Sequence, residues 1–353
     1  MNRGIHIVAV GARTPLGLDS ESSMAAVRAG ITQITDHPFM IDRVAEPVRM
    51  AQDSHLDPRL MGPERMLELV SSALEETCAQ SEFLLSRSRD ISILLGLPEE
   101  RPGWSSADVQ VLRDALSQKM MPYQLKSVEA FCYGHAAGSM ALITACSRIQ
   151  AGEAEVCIVA GVDSYFHHET LQWLDQTKQL ATSYHRGAFI PGEGAGALII
   201  ASDPVVKRFN LDSLALVCGG GTATETHLIK TEALCLGEGL TLCIRKATAS
   251  LELPHDAIEG IICDINGERY RSEEWGFALL RIPEVFDDPT DYEAPASYWG
   301  DVGAASGTLF IALAVTASRK GWAKGSRYLI WNSSEAGHRA AVVLELNLHV
   351  QGE

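Results

Sequence analysis

The sequence predicts an α/β fold with buried strands, and three observations carry that expectation. Short apolar runs rich in β-formers alternate with stretches of helical periodicity. Apolar residues make up 46% of the chain and charged residues 21%, a balance that suits a well-packed soluble globule. At 353 residues the chain is long for one simple core, so one large domain or two intimately packed ones are expected.

Taken in order, the strand candidates are 5–10, 91–97, 156–160, 194–201, 213–218, 261–264, 328–331 and 340–346. The helix candidates are 21–29, 63–79, 107–118, 138–150, 232–249 and 303–320. Within 138–150, Leu142, Ala145, Cys146 and Ile149 follow the i, i+3, i+4, i+7 spacing of a buried stripe. The segment 36–65 mixes Pro, Met and Asp without a period and reads as surface loop or subunit contact. The polar stretch 203–212 reads as a connection between two halves that share βα character. Gly219-Gly220-Gly221 lacks the Lys-Ser/Thr of a phosphate loop and reads as a tight turn after a strand.

Charge and cysteine usage narrow the function classes. Twenty-nine Lys and Arg stand against 45 Asp and Glu, for a net charge of −16. That balance argues against nucleic acid and against an anionic membrane surface as partners. No apolar run approaches the ~20 residues of a spanning helix. The opening 5–10 leads into Gly11-Ala12-Arg13-Thr14-Pro15-Leu16-Gly17, strand then turn rather than a signal peptide, so a cytoplasmic location is expected. None of the eight cysteines forms a C-x-x-C pair, so free thiols are expected, with no zinc site and no cofactor. His167-His168 reads as a loop pair.

Several segments together resemble the β-ketoacyl synthase branch of the thiolase fold. Residues 8–17, Val-Ala-Val-Gly-Ala-Arg-Thr-Pro-Leu-Gly, look like that family's first strand and turn, and 138–152 like its nucleophile helix. Val159-Ala160-Gly161-Val162-Asp163-Ser164 resembles the following strand. Phe189-Ile190-Pro191-Gly192-Glu193-Gly194-Ala195-Gly196-Ala197-Leu198 resembles the hairpin beside the active site. Gly300-Asp301-Val302-Gly303-Ala304-Ala305-Ser306-Gly307 resembles the late glycine-alanine turn. The resemblance implies a thiolase-like five-layer α/β/α/β/α sandwich of two pseudo-equivalent halves, 1–209 and 210–353. It also implies a homodimer paired through edge strands near the nucleophile, with 158–161 contributing.

The same alignment of segments deletes the family's chemistry. In the family, the glycine ending the nucleophile helix lies seventeen positions after the catalytic cysteine, and seventeen before Gly152 stands His135. Where the family shows Asn-Ala-His-Gly-Thr, this chain has Asp264-Ile265-Asn266-Gly267-Glu268, which puts Asn266 at the first histidine. Gly300-Asp301 puts Asp301 at the second. Asn332-Ser333-Ser334-Glu335-Ala336-Gly337-His338 replaces an aromatic gating loop. Condensation needs a thiolate to accept the acyl group and two imidazoles to stabilise an enolate oxyanion. Asn266 could still donate one hydrogen bond there, whereas an ionised Asp301 would repel the oxyanion.

Two further readings stay open at this point. Cys132, three residues before His135, is either a relocated nucleophile with His135 as its base or a structural thiol beside an unrelated histidine. A helix N-terminus would favour neutral imidazole at His135, and a neutral His135 near Asp301 could activate water or a hydroxyl; otherwise it fills a dead pocket. Arg269 and Arg271, in a loop expected after the strand 261–264, could hold a carboxylate or phosphate, or pair with Glu268, Glu273 and Glu274. Trp275 and Ser333 are the other substrate-contact candidates, and Trp275 with Trp299 could fill the acyl space. The expected function is a ketosynthase-like protein that binds rather than condenses. It would be a partner subunit of a ketosynthase-like chain or an adaptor, with an acyl carrier protein or acyl-CoA as a further contact. The alternative is an acyl-thioester hydrolase or acyltransferase centred on His135.

Overall fold

The computed structural model describes residues 4–348 apart from 124, 229, 230 and 232. The chain runs through β1 (Ile5–Arg13), α1 (Ser20–Arg28), the hairpin β2 (Ile34–Ile41) and β3 (Pro47–Ala51), α2 (Gly62–Gln80), α3 (Glu82–Leu85) and β4 (Ile91–Leu97). It continues through α4 (Ser106–Lys119), β5 (Leu125–Cys132), α5 (Ala137–Ala151), β6 (Val156–Ser164), α6 (His168–Gln176), β7 (Glu193–Ser202) and α7 (Asp203–Phe209). Then follow β8 (Ala215–Thr224), α8 (Glu238–Ala247), β9 (Gly260–Cys263), α9 (Arg269–Leu279), β10 (Tyr292–Glu293), α10 (Ala296–Trp299), α11 (Ser306–Arg319), β11 (Arg327–Ser333) and β12 (His338–Leu346).

The strands lie in the order β5-β4-β6-β7-β1, continued by β8-β12-β11-β9-β10. In the first run β1/β7 and β7/β6 are antiparallel, while β6/β4 and β4/β5 are parallel. The second run repeats those directions: β8/β12 and β12/β11 antiparallel, β11/β9 and β9/β10 parallel. Two residue pairs, His6 with Leu216 and Ile7 with Ala215, join the runs. Helices α2 and α4 cover the outer face of the first run, and α8 and α9 that of the second. Helices α5 and α11 pack between the two runs, giving five layers. Every residue of α11 from Ser306 to Ser318 is buried, as expected of a helix that is apolar all round. Each Leu or Ile fully buried in this middle layer contributes about 1.5–3 kcal/mol.

Some sequence expectations change here. Residues 36–65 are not an irregular loop: β2 and β3 pair across them and α2 begins at Gly62. The strand β5 and the helix α6, which starts at His168, were not expected. The helix expected over 232–249 spans Glu238–Ala247; 233–237 are not helical, and 232 lies outside the described residues. The glycines 219–221 are not a turn but lie inside β8. A Cβ on Gly219 or Gly221 would collide with the carbonyls of Ala247 or Cys243, so glycine lets α8 press onto the strand. Residues 158–161 sit in β6, between β7 and β4, so they cannot pair across a two-fold axis. The free edge on that side is β5.

Candidate functional site

His135 reaches the middle of the molecule through a short turn. β5 ends at Cys132, and Gly134, at φ 56°, bends the chain into a 3-10 turn over 134–136 that feeds α5. The turn between β11 and β12 fastens onto it. The Ser334 hydroxyl accepts the Ala136 amide at 2.9 Å and donates to the Tyr133 carbonyl. One turn further along, the Ser139 hydroxyl donates to Asn332 Oδ1 at 2.6 Å. The segment that stands in place of the family's gating loop is therefore tied to the turn that carries His135.

Asp301 meets His135 from the other run. The Asp301 backbone is pinned to the 190–192 segment, its amide donating to the Ile190 carbonyl and its carbonyl accepting from Gly192, each at 2.7 Å. His135 Nε2 donates to both carboxylate oxygens, at 2.8 and 2.9 Å. The same carboxylate accepts Asn266 Nδ2 at 2.5 Å and the Gly303 amide at 2.8 Å. Burial alone would pull the His135 pKa down, but the Asp301 charge outweighs it and the net shift is upward. That direction is opposite to the downward shift expected from a helix N-terminus. Burial works to raise the Asp301 pKa, yet His135, then Arg271 and Asn266, hold it well below the usual carboxylate range.

Arg271 lies at the centre of the surrounding charges. It is fully buried; Nη1 donates to the Ser333 carbonyl at 2.8 Å and pairs with Asp264 Oδ2 at 2.9 Å. Nε reaches Glu268 Oε2 at 3.2 Å. Its Nη2 stands 3.3 Å from His135 Nε2. That nitrogen already gives its proton to Asp301, so the guanidinium acts there as a neighbouring cation. Asn266 spends its amide donors on Asp301 and on Glu268 at 3.1 Å. Neither remains for an oxyanion.

The structure separates Cys132, Arg269 and Trp275 from this centre, while Ser333 touches it only through its backbone. Cys132 is exposed, makes no hydrogen bond to His135 among the described residues, and burial of its sulfur raises its thiol pKa; none of these marks an activated nucleophile. Arg269 is not a loop ligand: it opens α9 on the surface and pairs with Glu273 at 2.6 Å. Trp275 stacks on Trp331 at 5.2 Å in the outer core, whereas Trp299 belongs to the middle layer, so the two do not share a pocket. Ser333 is buried, and its amide donates to Asp264 Oδ2 at 2.7 Å.

Sequence reasoning missed several residues around His135. Arg101 donates to Asp163 Oδ1 at 2.5 Å and lies over the Tyr165 ring at 4.2 Å, and Asp163 accepts the Ala304 amide at 2.9 Å. Glu99 faces His135, and burial raises its pKa. With Gly134, Asp163, Tyr165 and Phe189 these residues line a cavity of about 60 Å³ against His135. That is well below the ~300–1,000 Å³ of an ordinary small-molecule pocket. The one available signal was the run Pro98-Glu99-Glu100-Arg101 directly after an apolar strand, at the end of the sheet where ligands bind.

Residues 127–204 match the family model for the beta-ketoacyl synthase N-terminal domain. The ishigamide ketosynthase/chain length factor superposes with a TM-score of 0.82 at 16% identity, covering 98% of this chain and 100% of that one. A chain of AntDE:AntF, a type II polyketide acyl-carrier protein in complex with its ketosynthase, gives 0.81 at 14% identity, covering 98% and 100%. The ketosynthase ApeO in complex with its chain length factor ApeC, from Xenorhabdus doucetiae, gives 0.78 at 13% identity, covering 98% of each. The chain has the thiolase-like ketosynthase fold. No curated protein matches at the level of sequence. On this ketosynthase fold the residues that meet at the middle are His135, Asp301, Asn266 and Arg271.

Proposed function

We propose that this chain is a non-condensing subunit that pairs with a ketosynthase-like chain and contacts its acyl carrier protein. One observation carries the reading: His135 is held by both oxygens of Asp301 against a cavity of about 60 Å³. An acyl chain needs more room than that, and condensation needs a thiolate and free oxyanion donors that this centre does not offer. The similar structures named above include ketosynthases in complex with chain length factors or an acyl carrier protein, which supports a partner role. Within this reading the chain divides at 209/210, where α7 ends and the link to β8 begins. It works in the cytoplasm, as a heterodimer or by self-pairing through the β5 edge. The positions of His135, Asn266 and Asp301 are those the condensing enzymes give to cysteine and two histidines.

The test is co-expression with a ketosynthase-like chain of the same host, followed by light scattering and a condensation assay on acyl- and malonyl-carrier protein. The expected result is a heterodimer, with no condensation by this chain alone. Condensation by the isolated chain would overturn the proposal, and so would failure to pair with any such chain.

A second reading has its own observation. The His135–Asp301 contact is a base–carboxylate pair on the wall of a cavity, the arrangement that activates water in a thioester hydrolase. Release of free thiol from acyl-CoA, abolished by His135→Ala, would favour it over the partner role.

A further inference from the structure

Away from His135, three metal-ligating side chains converge from separate elements. Glu225 follows β8, Cys235 lies ahead of α8, and Glu274 is on α9. One ligand atom from each lies within 4.8 Å of the other two. Glu225 is 2% exposed and Glu274 0%, and Cys235 is half-buried on the open side. Among the described residues the charges here do not balance: Arg339 Nε pairs with Glu274 Oε1 at 2.6 Å and is the one guanidinium among them that touches either carboxylate. Glu225 is held by the backbone amides of Thr226, His227 and Gly239, at 3.1, 3.2 and 2.9 Å. Among the described residues the other Glu274 oxygen, Oε2, takes no well-formed hydrogen bond, although the Ser333 hydroxyl stands near Glu274 and no solvent reaches the residue. A buried carboxylate oxygen without a donor is costly, and burial raises the Glu274 pKa although Arg339 pulls it down, so among the described residues this pair of carboxylates lacks full compensation by cations.

We propose that Glu225, Cys235 and Glu274 bind a zinc-type divalent cation. A thiolate with two carboxylates suits a borderline-soft ion better than calcium or magnesium. Zn–S bonds of ~2.3 Å and Zn–O bonds of ~2.0–2.2 Å bring tetrahedral ligand atoms to roughly 3.6 Å apart, so a closure of about 1 Å by the Cys235 segment suffices. The thiol proton leaves to solvent as the sulfur binds. His227, whose Nδ1 stands 4.0 Å from Glu225 Oε1, is on the rim as a fourth ligand. Positions 225, 235 and 274 have no spacing that a sequence pattern would flag, because the fold and not the local chain assembles them. This site is independent of the partner role.

The test uses the full-length, reduced chain, stripped with a chelator and titrated with Co²⁺. A sulfur-to-cobalt charge-transfer band in the near ultraviolet, saturating at one equivalent and displaced by Zn²⁺, is expected. It should vanish in Cys235→Ser and persist in Cys132→Ser and Cys218→Ser. Zn²⁺ should raise the Tm of the parent and not of Cys235→Ser, with the affinity lowered at least about tenfold in that variant. No band, or a band that survives Cys235→Ser, overturns the proposal.

Discussion

Asp301→Ala removes the acceptor on which the central network converges. The carboxylate is 3% exposed and accepts from His135, Asn266 and the Gly303 amide. Its loss orphans the Asn266 and Gly303 donors and leaves His135 3.3 Å from the Arg271 guanidinium with no anion between them. Breaking a buried pair by removing one partner costs about 3–5 kcal/mol, and the extra orphaned donors argue for the middle of that range or above. An unfolding entropy of about 2.1 cal/mol/K per residue gives roughly 0.7 kcal/mol/K for this chain, so about 4 kcal/mol lowers Tm by roughly 5 °C.

The loss also depends on pH in a defined direction. The His135 pKa is raised, so its share of the stabilisation is full below the unfolded value of about 6.5 and fades as pH climbs through the folded value. The Asp301 pKa is lowered, so its share is present above an unfolded value of about 3.9 and fades as pH falls through the folded value. Both shares are full between about pH 4 and 6.5. Calorimetry of the parent and Asp301→Ala should show the largest Tm gap near pH 6 and a narrower one at pH 9. A gap below 1 °C at pH 6, or one that widens toward pH 9, would refute the assignment of Asp301 as the anchor of a charged pair.

Other substitutions separate the central residues from their neighbours. Arg271→Met leaves Asp264 and Glu268 without their shared cation and is expected to cost about 3–5 kcal/mol in chemical denaturation. Arg269→Ala, two residues earlier, loses only an exposed pair with Glu273 and should stay within about 0.5 kcal/mol. Trp275→Ala empties the stack on Trp331 and should cost about 3–5 kcal/mol without any effect on partner binding. Cys132 should be the first thiol alkylated in the native chain, because it is exposed whereas Cys218 and Cys235 are half-buried and Cys78, Cys146, Cys157, Cys243 and Cys263 are buried, and its modification should leave Tm unchanged; peptide mapping by mass spectrometry checks it.

The sequence showed most where backbone geometry constrains residue type. The glycine ending α5 at a left-handed Gly152 fixed a count that led to His135, and Gly300 led to Asp301; the structure brings these two side chains within 2.8 Å. Buried strands such as β4, β6 and β7 announced themselves as unbroken apolar runs. β5 did not, because an edge strand with one wet face carries Lys126 and Glu129 among its apolar residues. α9 was hidden for a different reason. Its inward face holds Arg271 and Glu274, so the polar residues lie where a helical pattern looks for apolar ones. Their partners Asp264, Ser333 and Arg339 come from other elements, and no local pattern states that pairing.

On the proposed non-condensing reading, the arrangement of contacts accounts for a ketosynthase fold that persists without its condensing chemistry. A working condensing centre must keep donors free and a channel open, which holds polar groups unsatisfied until substrate arrives. Here the side chains of His135, Asp301, Asn266 and Arg271 are hydrogen-bonded or ion-paired within the protein. His135, from the strand run β5-β4-β6-β7-β1, is clasped by Asp301 from the segment before α11. Ser334 spans from the β11–β12 turn to Tyr133 and Ala136. Arg271 sits between Asp264 and Glu268. Of these contacts, His135–Asp301, Ser334 with Tyr133 and Ala136, and Arg271–Asp264 reach between elements, whereas Arg271–Glu268 closes the first turn of α9. On the proposed partner reading, these contacts stiffen the interior beneath the outer surface, including the β5 edge, and that surface rather than a thiolate is what binding would require.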